Sequence, residues 1–91
     1  MKVEMIVLFA HWCPICNMMM PVVETVEKQY QEQLTVIRID VEREPLSMEA
    51  FEAEIVPTFI FQKDCREIGR MSGLISEEVV CTRVEQICQR P

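Results

Sequence analysis

The chain has 91 residues and is 49% hydrophobic with only two glycines, a composition that excludes a disordered or low-complexity protein. Its formal net charge of −6 argues against nucleic acid as the main partner, because the chain has no basic stripe to displace counterions. The length predicts one small domain over residues 1–91.

The first ten residues predict neither a signal peptide nor a membrane span. Their apolar run, from Met5 to Ala10, is too short for either role, and Glu4 stands directly before it. Five cysteines in such a chain suit the reducing cytoplasm, where a closely spaced pair is expected to be catalytic or metal-binding. We therefore expect a cytoplasmic, monomeric protein with no membrane association.

The spacing of apolar residues predicts seven elements in the order β-α-β-α-β-β-α. Their approximate ranges are residues 3–9, 14–33, 35–41, 46–53, 58–62 and 66–71, with a last helix after Ser76. The first strand is apolar on both faces, which is typical of a strand covered by helices on both sides. Pro21 should kink the first helix, whose buried stripe is expected to include Ile15, Met18 and Met19.

This order predicts an α/β fold with a four-stranded mixed sheet flanked by helices on both faces. The first βαβ unit requires a parallel strand pair with a right-handed crossover, and the terminal hairpin adds antiparallel strands. The segment "HWCPIC" (residues 11–16) then lies at the carboxyl end of the first strand, where reactive groups collect in such sheets.

The cysteine pair within that segment has the spacing of a redox dithiol. Cys13 falls at the N-cap position and Pro14 at the first helical position of the first helix. The amide of Cys16 and the positive end of the helix dipole should point at the Cys13 sulfur and favour its thiolate, the species that attacks disulfides. We expect an exposed Cys13 as nucleophile and a shielded Cys16 as the resolving thiol.

By itself, a Cys-x-x-Cys pair is also compatible with half of a metal site or with chance. Zinc would need two further ligands, and Cys81 and Cys88 lie seven positions apart on a helix. The single histidine, His11, adjoins the pair, so the sequence shows no tetrahedral set of ligands. An iron–sulfur cluster that bridges two copies of the chain through Cys13 is a further alternative that the spacing alone does not exclude.

Several motifs together resemble the thioredoxin family from about Ile6 to the last helix. They are "HWCPIC", Pro21, Pro45 after the second strand, "IVPTF" (residues 55–59) and Gly73, in the family's order and approximate spacing. The resemblance implies a thioredoxin-like fold and a cis peptide bond before Pro57, placed beside the cysteine pair.

The same resemblance implies which residues meet the substrate. Trp12 would flank the active site, and Val56, Pro57 and Gly73 would form the surface that docks an extended partner segment. Pro14 and Ile15, between the cysteines, would tune the dithiol; this dipeptide is more similar to that of glutaredoxins than to the Gly-Pro of thioredoxins.

The chain also departs from the family pattern. It begins almost at the central strand, as glutaredoxins do, yet the residues with which glutaredoxins hold glutathione are not evident. Val7 replaces the buried acid that thioredoxins place beneath the resolving cysteine, which puts the rate and redox potential in doubt. Arg38 matches a position that is often lysine, and we expect it to act as a tuning charge without its usual acidic partner.

The remaining candidates have modest expected roles. His11 could tune Cys13 as a cation, although a solvated loop histidine is the simpler interpretation. Cys81 and Cys88 are expected to be small core residues, and Cys65 an exposed thiol at the tip of the hairpin.

The sequence thus predicts a protein disulfide oxidoreductase of thioredoxin type that contributes to cell redox homeostasis. It would act on a disulfide-containing protein or small molecule, with electrons from a thioredoxin reductase-like protein or from glutathione, and with no bound cofactor or metal. Two alternatives are a glutaredoxin-like, glutathione-dependent reductase and a non-catalytic thioredoxin-fold module for redox sensing or binding.

Overall fold

The computed structural model describes residues 2–89, which form four strands and three helices in the predicted order. These elements are β1 (Val3–Phe9), α1 (Pro14–Gln29), β2 (Leu34–Asp40), α2 (Ser47–Ala50), β3 (Thr58–Lys63), β4 (Arg66–Ser72) and α3 (Glu77–Cys88). Within the described range, no helix is both long enough and apolar enough to cross a membrane.

The four strands form one mixed sheet in the order β2-β1-β3-β4. β1 pairs with β2 in parallel and with β3 antiparallel, and β3 pairs antiparallel with β4. The parallel pair aligns Phe9 with Asp40, so that β1 and β2 end at the same edge of the sheet. The predicted mixed sheet is confirmed.

Helices cover both faces of the sheet because β1 and β3 are apolar on both faces. On one face, Met5, Val7 and Phe59 pack in a cluster to which α1 and α3 contribute their buried residues. On the other face, Ile6, Leu8 and Ile60 pack with residues of α2 and its flanking loops. β1 therefore lies in the interior of the molecule, and its carboxyl end leads directly into the cysteine pair.

Local sequence signals explain where several elements begin and end. The Ser76 side chain accepts a hydrogen bond from the amide of Val79 at 3.3 Å, which confirms its role as the N-cap of α3. Asp64 and Cys65 have φ angles of 54° and 62° and form the tight turn between β3 and β4. Paired left-handed residues suit the twist of a hairpin, and Cys65 is exposed there as predicted.

The first helix differs from its prediction in length and in its buried face. α1 ends at Gln29, not near residue 33, because the amides of Gln33 and Leu34 bond to the carbonyl of Tyr30 in a turn. α1 continues through Pro21, and the kink there stays a prediction.

The predicted buried positions of Ile15 and Met18 are wrong, since both side chains are exposed. The buried stripe of α1 consists of Cys16, Met19, Val23 and Val26. Because neighbouring residues are about 100° apart around a helix, Met18 cannot share a narrow face with Met19.

Candidate active site

The two cysteines lie where β1 passes into α1. Cys13 is the N-cap of α1, with extended backbone angles (φ −92°, ψ 109°), and Pro14 is the first helical residue. Proline suits that position because its fixed φ is helical and it lacks an N–H that would have no partner. The predicted placement of Cys13 at the amino end of α1 is confirmed.

The Cys13 sulfur acts as the cap of the helix. The amide of Cys16 donates a hydrogen bond to Cys13 Sγ at 3.1 Å, and the amide of Cys13 bonds to the carbonyl of Ala10 at 3.2 Å. A sulfur that accepts an amide hydrogen bond at a positive helix end is stabilised as the thiolate. The arrangement therefore favours Cys13 as the attacking group.

The predicted contrast between an exposed Cys13 and a shielded Cys16 is not observed, since the residues are 5% and 1% exposed. Cys13 is covered because it packs in a small cluster with Ala10, Val41 and Val56. The two thiols differ in their hydrogen bonds more than in their burial.

Burial raises the pKa of the Cys16 thiol to about 11, and the hydrogen bond to Cys13 and the charge of Cys13 act in the same direction. Cys16 is therefore held as a thiol at neutral pH, which disfavours it as the initial nucleophile. Val7 is fully buried in the apolar cluster of β1, α1 and α3, so that the position of the family's acid holds no carboxylate.

The loop before β3 lies against the cysteine pair. The peptide bond between Val56 and Pro57 is cis, and the Cys13 thiol lies 3.8 Å from the carbonyl oxygen of Val56. The amide of Gly73 bonds to the carbonyl of Pro57 at 2.9 Å, with a positive φ of 85° at Gly73 that favours glycine. The structure thus places Val56 beside Cys13 and joins Gly73 to Pro57, the residue after Val56, while Trp12 is largely exposed.

Arg38 does not contact either thiol among the hydrogen bonds and ion pairs of the described residues. Its guanidinium binds both carboxylate oxygens of Glu27 on α1, at 2.9 and 3.1 Å, and lowers the pKa of that carboxyl group. Arg38 thus has an acidic partner other than the family's buried acid, whose position is Val7, because β2 packs beside α1 and presents Arg38 to Glu27. Sequence spacing could not show this pairing, since it depends on how the helix sits on the sheet.

His11 has a partner that the sequence analysis did not identify. Its Nε2 lies 3.2 Å from Oδ2 of Asp40, the last residue of β2. The predicted parallel pairing of β1 and β2 could have indicated this contact, because it brings the carboxyl ends of the two strands, and so His11 and Asp40, to one edge of the sheet.

The other cysteines lie away from this centre. Cys81 and Cys88 are half-buried on α3 and pack against the main core, which agrees with their predicted role. Over residues 2–89, no group of three or more His, Cys, Asp or Glu side chains is arranged to hold a metal ion.

A four-stranded mixed sheet, with a Cys-x-x-Cys pair at the start of its first helix and a cis-proline loop beside it, defines a dithiol protein of the thioredoxin-like class. The family model described as Thioredoxin matches residues 1–86, and the chain belongs to the thioredoxin family.

Relatives from plants and bacteria support this assignment. The chain is 30% identical to thioredoxin Y1, chloroplastic, of Arabidopsis thaliana over 77 residues, which cover 85% of this chain and 45% of that protein. It is 33% identical to the thioredoxin of Chlamydia trachomatis serovar D over 66 residues, covering 72% of this chain and 64% of that protein. The chain thus spans about half to two thirds of the length of these curated relatives.

Solved structures show the same fold. A mutant thioredoxin from Halobacterium salinarum superposes with a TM-score of 0.90 at 28% identity, over 99% of this chain and 78% of that one. The germline-specific thioredoxin Deadhead from Drosophila melanogaster superposes with a TM-score of 0.88 at 23% identity, over 94% and 81% of the two chains.

Proposed function

We propose that this protein is a thiol–disulfide oxidoreductase that reduces or exchanges disulfides through Cys13 and Cys16. The observation that carries the proposal is the hydrogen bond from the Cys16 amide to the Cys13 sulfur at the amino end of α1. It favours the thiolate at the residue that must attack, while Cys16 is held as a thiol.

In the first step, the Cys13 thiolate attacks one sulfur of the substrate disulfide. A mixed disulfide forms between Cys13 and that sulfur, the substrate S–S bond breaks, and the second substrate sulfur leaves as a thiolate. The leaving thiolate then takes a proton from solvent or from Cys16.

In the second step, Cys16 loses its proton and attacks the sulfur of Cys13. The mixed disulfide breaks, and the substrate sulfur that was bound to Cys13 leaves as a thiolate. A Cys13–Cys16 disulfide remains. The substrate has gained two electrons and the protein has lost two. Cys13 in the mixed disulfide no longer carries a charge near Cys16, and two of the three influences that raise the pKa of Cys16 disappear at the moment when its thiolate is needed.

The surface around Cys13 supports binding of an extended partner segment. The Val56 carbonyl lies beside Cys13, and the Pro57–Gly73 hydrogen bond holds the two neighbouring loops together. Exposed Trp12 and Ile15 add apolar area next to the sulfur. We propose that these residues dock the disulfide-containing segment, with Pro14 fixing the start of the helix.

Electrons would return to the oxidised protein from a thioredoxin reductase-like protein or from glutathione. We further propose that this domain is monomeric and works in a reducing compartment such as the cytoplasm, where Cys13 is kept reduced.

The test is reduction of a protein disulfide by the reduced protein, with each cysteine replaced in turn. Cys13→Ser should abolish turnover, whereas Cys16→Ser should still attack and accumulate a mixed disulfide that mass spectrometry detects. Cys65→Ser is the matched control and should keep full activity, because Cys65 lies in the β3–β4 turn. An active Cys13→Ser protein would refute the assignment.

The electron donor is tested in the same assay. Turnover sustained by glutathione and not by a thioredoxin reductase would favour a glutaredoxin-like reaction. No turnover with either donor, in a protein whose partners still bind when both cysteines are replaced, would favour a non-catalytic binding module.

A further inference from the structure

Asp40 is a largely buried carboxylate at the edge of the sheet that carries the cysteine pair. Its side chain is 12% exposed, compared with 74% for the His11 side chain that it contacts. Oδ1 accepts a hydrogen bond from the amide of Glu42 at 2.9 Å, and Oδ2 lies 3.2 Å from His11 Nε2 and 4.0 Å from Arg43 Nε. The carboxylate is thus held by its own loop and presents one oxygen to His11.

His11 belongs to the short segment that carries Trp12 and Cys13, and this segment is fixed at two further points. The carbonyl of His11 accepts a hydrogen bond from the side chain of Asn17 at 3.4 Å. The His11 ring also packs edge-on against the ring of Phe9, with centroids 5.4 Å apart and an interplanar angle of 86°.

We propose that Asp40 is a positioning residue for substrate docking, which acts by holding His11 and thereby the exposed Trp12 that follows it. The inference rests on the proposed oxidoreductase function. Among the hydrogen bonds and ion pairs of the described residues, neither Asp40 nor His11 has a cysteine sulfur as its partner. Their contact sets the orientation of the docking surface, while the hydrogen bond to Cys13 sets the reactivity of the thiol.

The contact between His11 Nε2 and Asp40 Oδ2 has the distance of an ion pair and not the geometry of a hydrogen bond. Nε2 must carry a hydrogen, because an unprotonated Nε2 would place a lone pair against a carboxylate oxygen. Both the imidazolium ion and the neutral Nε2–H tautomer meet this condition. A glutamine side chain at residue 11 can present an N–H at a similar reach, whereas alanine cannot.

The test compares two substrates with different needs for docking. For a peptide disulfide, His11→Ala and Asp40→Asn should each raise KM about threefold to fivefold with kcat little changed, the size expected for one lost ion-pair contact with an exposed partner. The rate with hydroxyethyl disulfide, which is too small to span the docking surface, should change less than twofold. His11→Gln should restore most of the loss seen with His11→Ala.

A double-mutant cycle and a control complete the experiment. The His11→Ala/Asp40→Asn protein should resemble either single variant, because asparagine keeps an oxygen for the Glu42 amide and both changes remove the ion-pair contact between residues 11 and 40. Arg43→Gln should leave both substrates unaffected, since Arg43 is exposed and lies farther from Asp40.

Additive losses, an equal effect on the small disulfide, or no rescue by His11→Gln would each overturn the inference. Failure of the proposed function would look different, because the wild-type protein would then reduce neither substrate.

Discussion

Cys16 has a thiol with a raised pKa in the candidate active site, and the proposed order of the reaction depends on its protonation state. Burial comes first among the causes that raise its pKa to about 11, followed by its interaction with Cys13. The two thiols are of nearly equal burial, and we propose different roles for them because the Cys13 sulfur accepts the Cys16 amide at the amino end of α1.

The alkylation rates of the two thiols test this difference. In reduced protein at neutral pH, iodoacetamide should modify Cys13 well before Cys16, and Cys16 should react only as the pH approaches 11. A Cys65→Ser background removes the exposed thiol of the hairpin from the analysis. Peptide mapping by mass spectrometry at several pH values gives both rates. Equal labelling of Cys13 and Cys16 at neutral pH would contradict the assignment of nucleophile and resolving thiol.

Val7 permits a second prediction at the residue scale. It is fully buried among apolar side chains, and Arg38, its register partner on β2, is already bound to Glu27. Val7→Asp would therefore bury a carboxyl group without a ready cation, which should cost on the order of 3 kcal/mol at neutral pH.

The pH dependence identifies the cause of that loss. Burial would raise the pKa of the introduced carboxyl group above its unfolded value of about 3.9, so the protein is most stable below that value and loses stability as the pH rises through the raised pKa. Val7→Thr, with the same shape and no charge, should show a smaller and pH-independent loss in urea denaturation. A Val7→Asp protein as stable as wild type at neutral pH would show that a partner for the acid exists.

At the scale of elements, the ends of the helices place the functional groups. The positive end of α1 meets Cys13, and the turn after Tyr30 returns the chain to β2 so that it ends beside β1. α3 begins at its Ser76 cap, with Glu77 and Glu78 in the first turn, where their charges suit the helix dipole.

Removing the cap of α3 should destabilise the protein without changing its chemistry. Ser76→Ala leaves the amide of Val79 without its side-chain partner and should lower the free energy of unfolding by about 1 kcal/mol. Ser76→Asp retains a capping oxygen and is the matched control. Urea denaturation under reducing conditions measures both variants, and equal losses in the two would argue against the cap.

Elements governed by local signals could be predicted from the sequence, whereas the side-chain pairs between elements could not be predicted from local spacing. The loop of Pro57 is expected beside the cysteines only because of the resemblance to the thioredoxin family. The apolar pattern of β1, Pro14 at the start of α1 and Ser76 before α3 each express a preference within a few residues. The His11–Asp40 and Arg38–Glu27 pairs join residues on different elements, and their geometry depends on register and on helix placement. The burial of Cys13 also depends on packing against Val41 and Val56.

At the scale of the whole molecule, helices cover both faces of one sheet and the reactive groups collect at one of its edges. The core forms on both sides of β1, and the same strand delivers the chain to Cys13.

Alkaline pH should weaken the whole fold. Burial raises the pKa values of Cys16, Cys81 and Cys88 above 9.0 and that of Tyr30 above 10.0. A raised folded-state pKa means that the stabilisation is fully present below the unfolded pKa and is lost as the pH rises through the folded one.

The free energy of unfolding of the reduced protein should therefore fall above pH 9.0, the ordinary thiol value. Denaturation of wild type and Cys16→Ala as a function of pH isolates one contribution, because the difference between the two proteins should shrink between pH 9.0 and about 11. A difference that stays constant across this range would mean that Cys16 ionises as easily in the fold as in the unfolded chain.

The most direct measurement of the central claim is the redox equilibrium of the Cys13–Cys16 pair in glutathione buffers of defined composition. We expect the two cysteines to titrate together as one two-electron couple, with the disulfide mapped to Cys13 and Cys16 by mass spectrometry. A pair that stays reduced over the whole range, or a disulfide that forms at other cysteines, would contradict the account and leave a thioredoxin fold without its exchange chemistry.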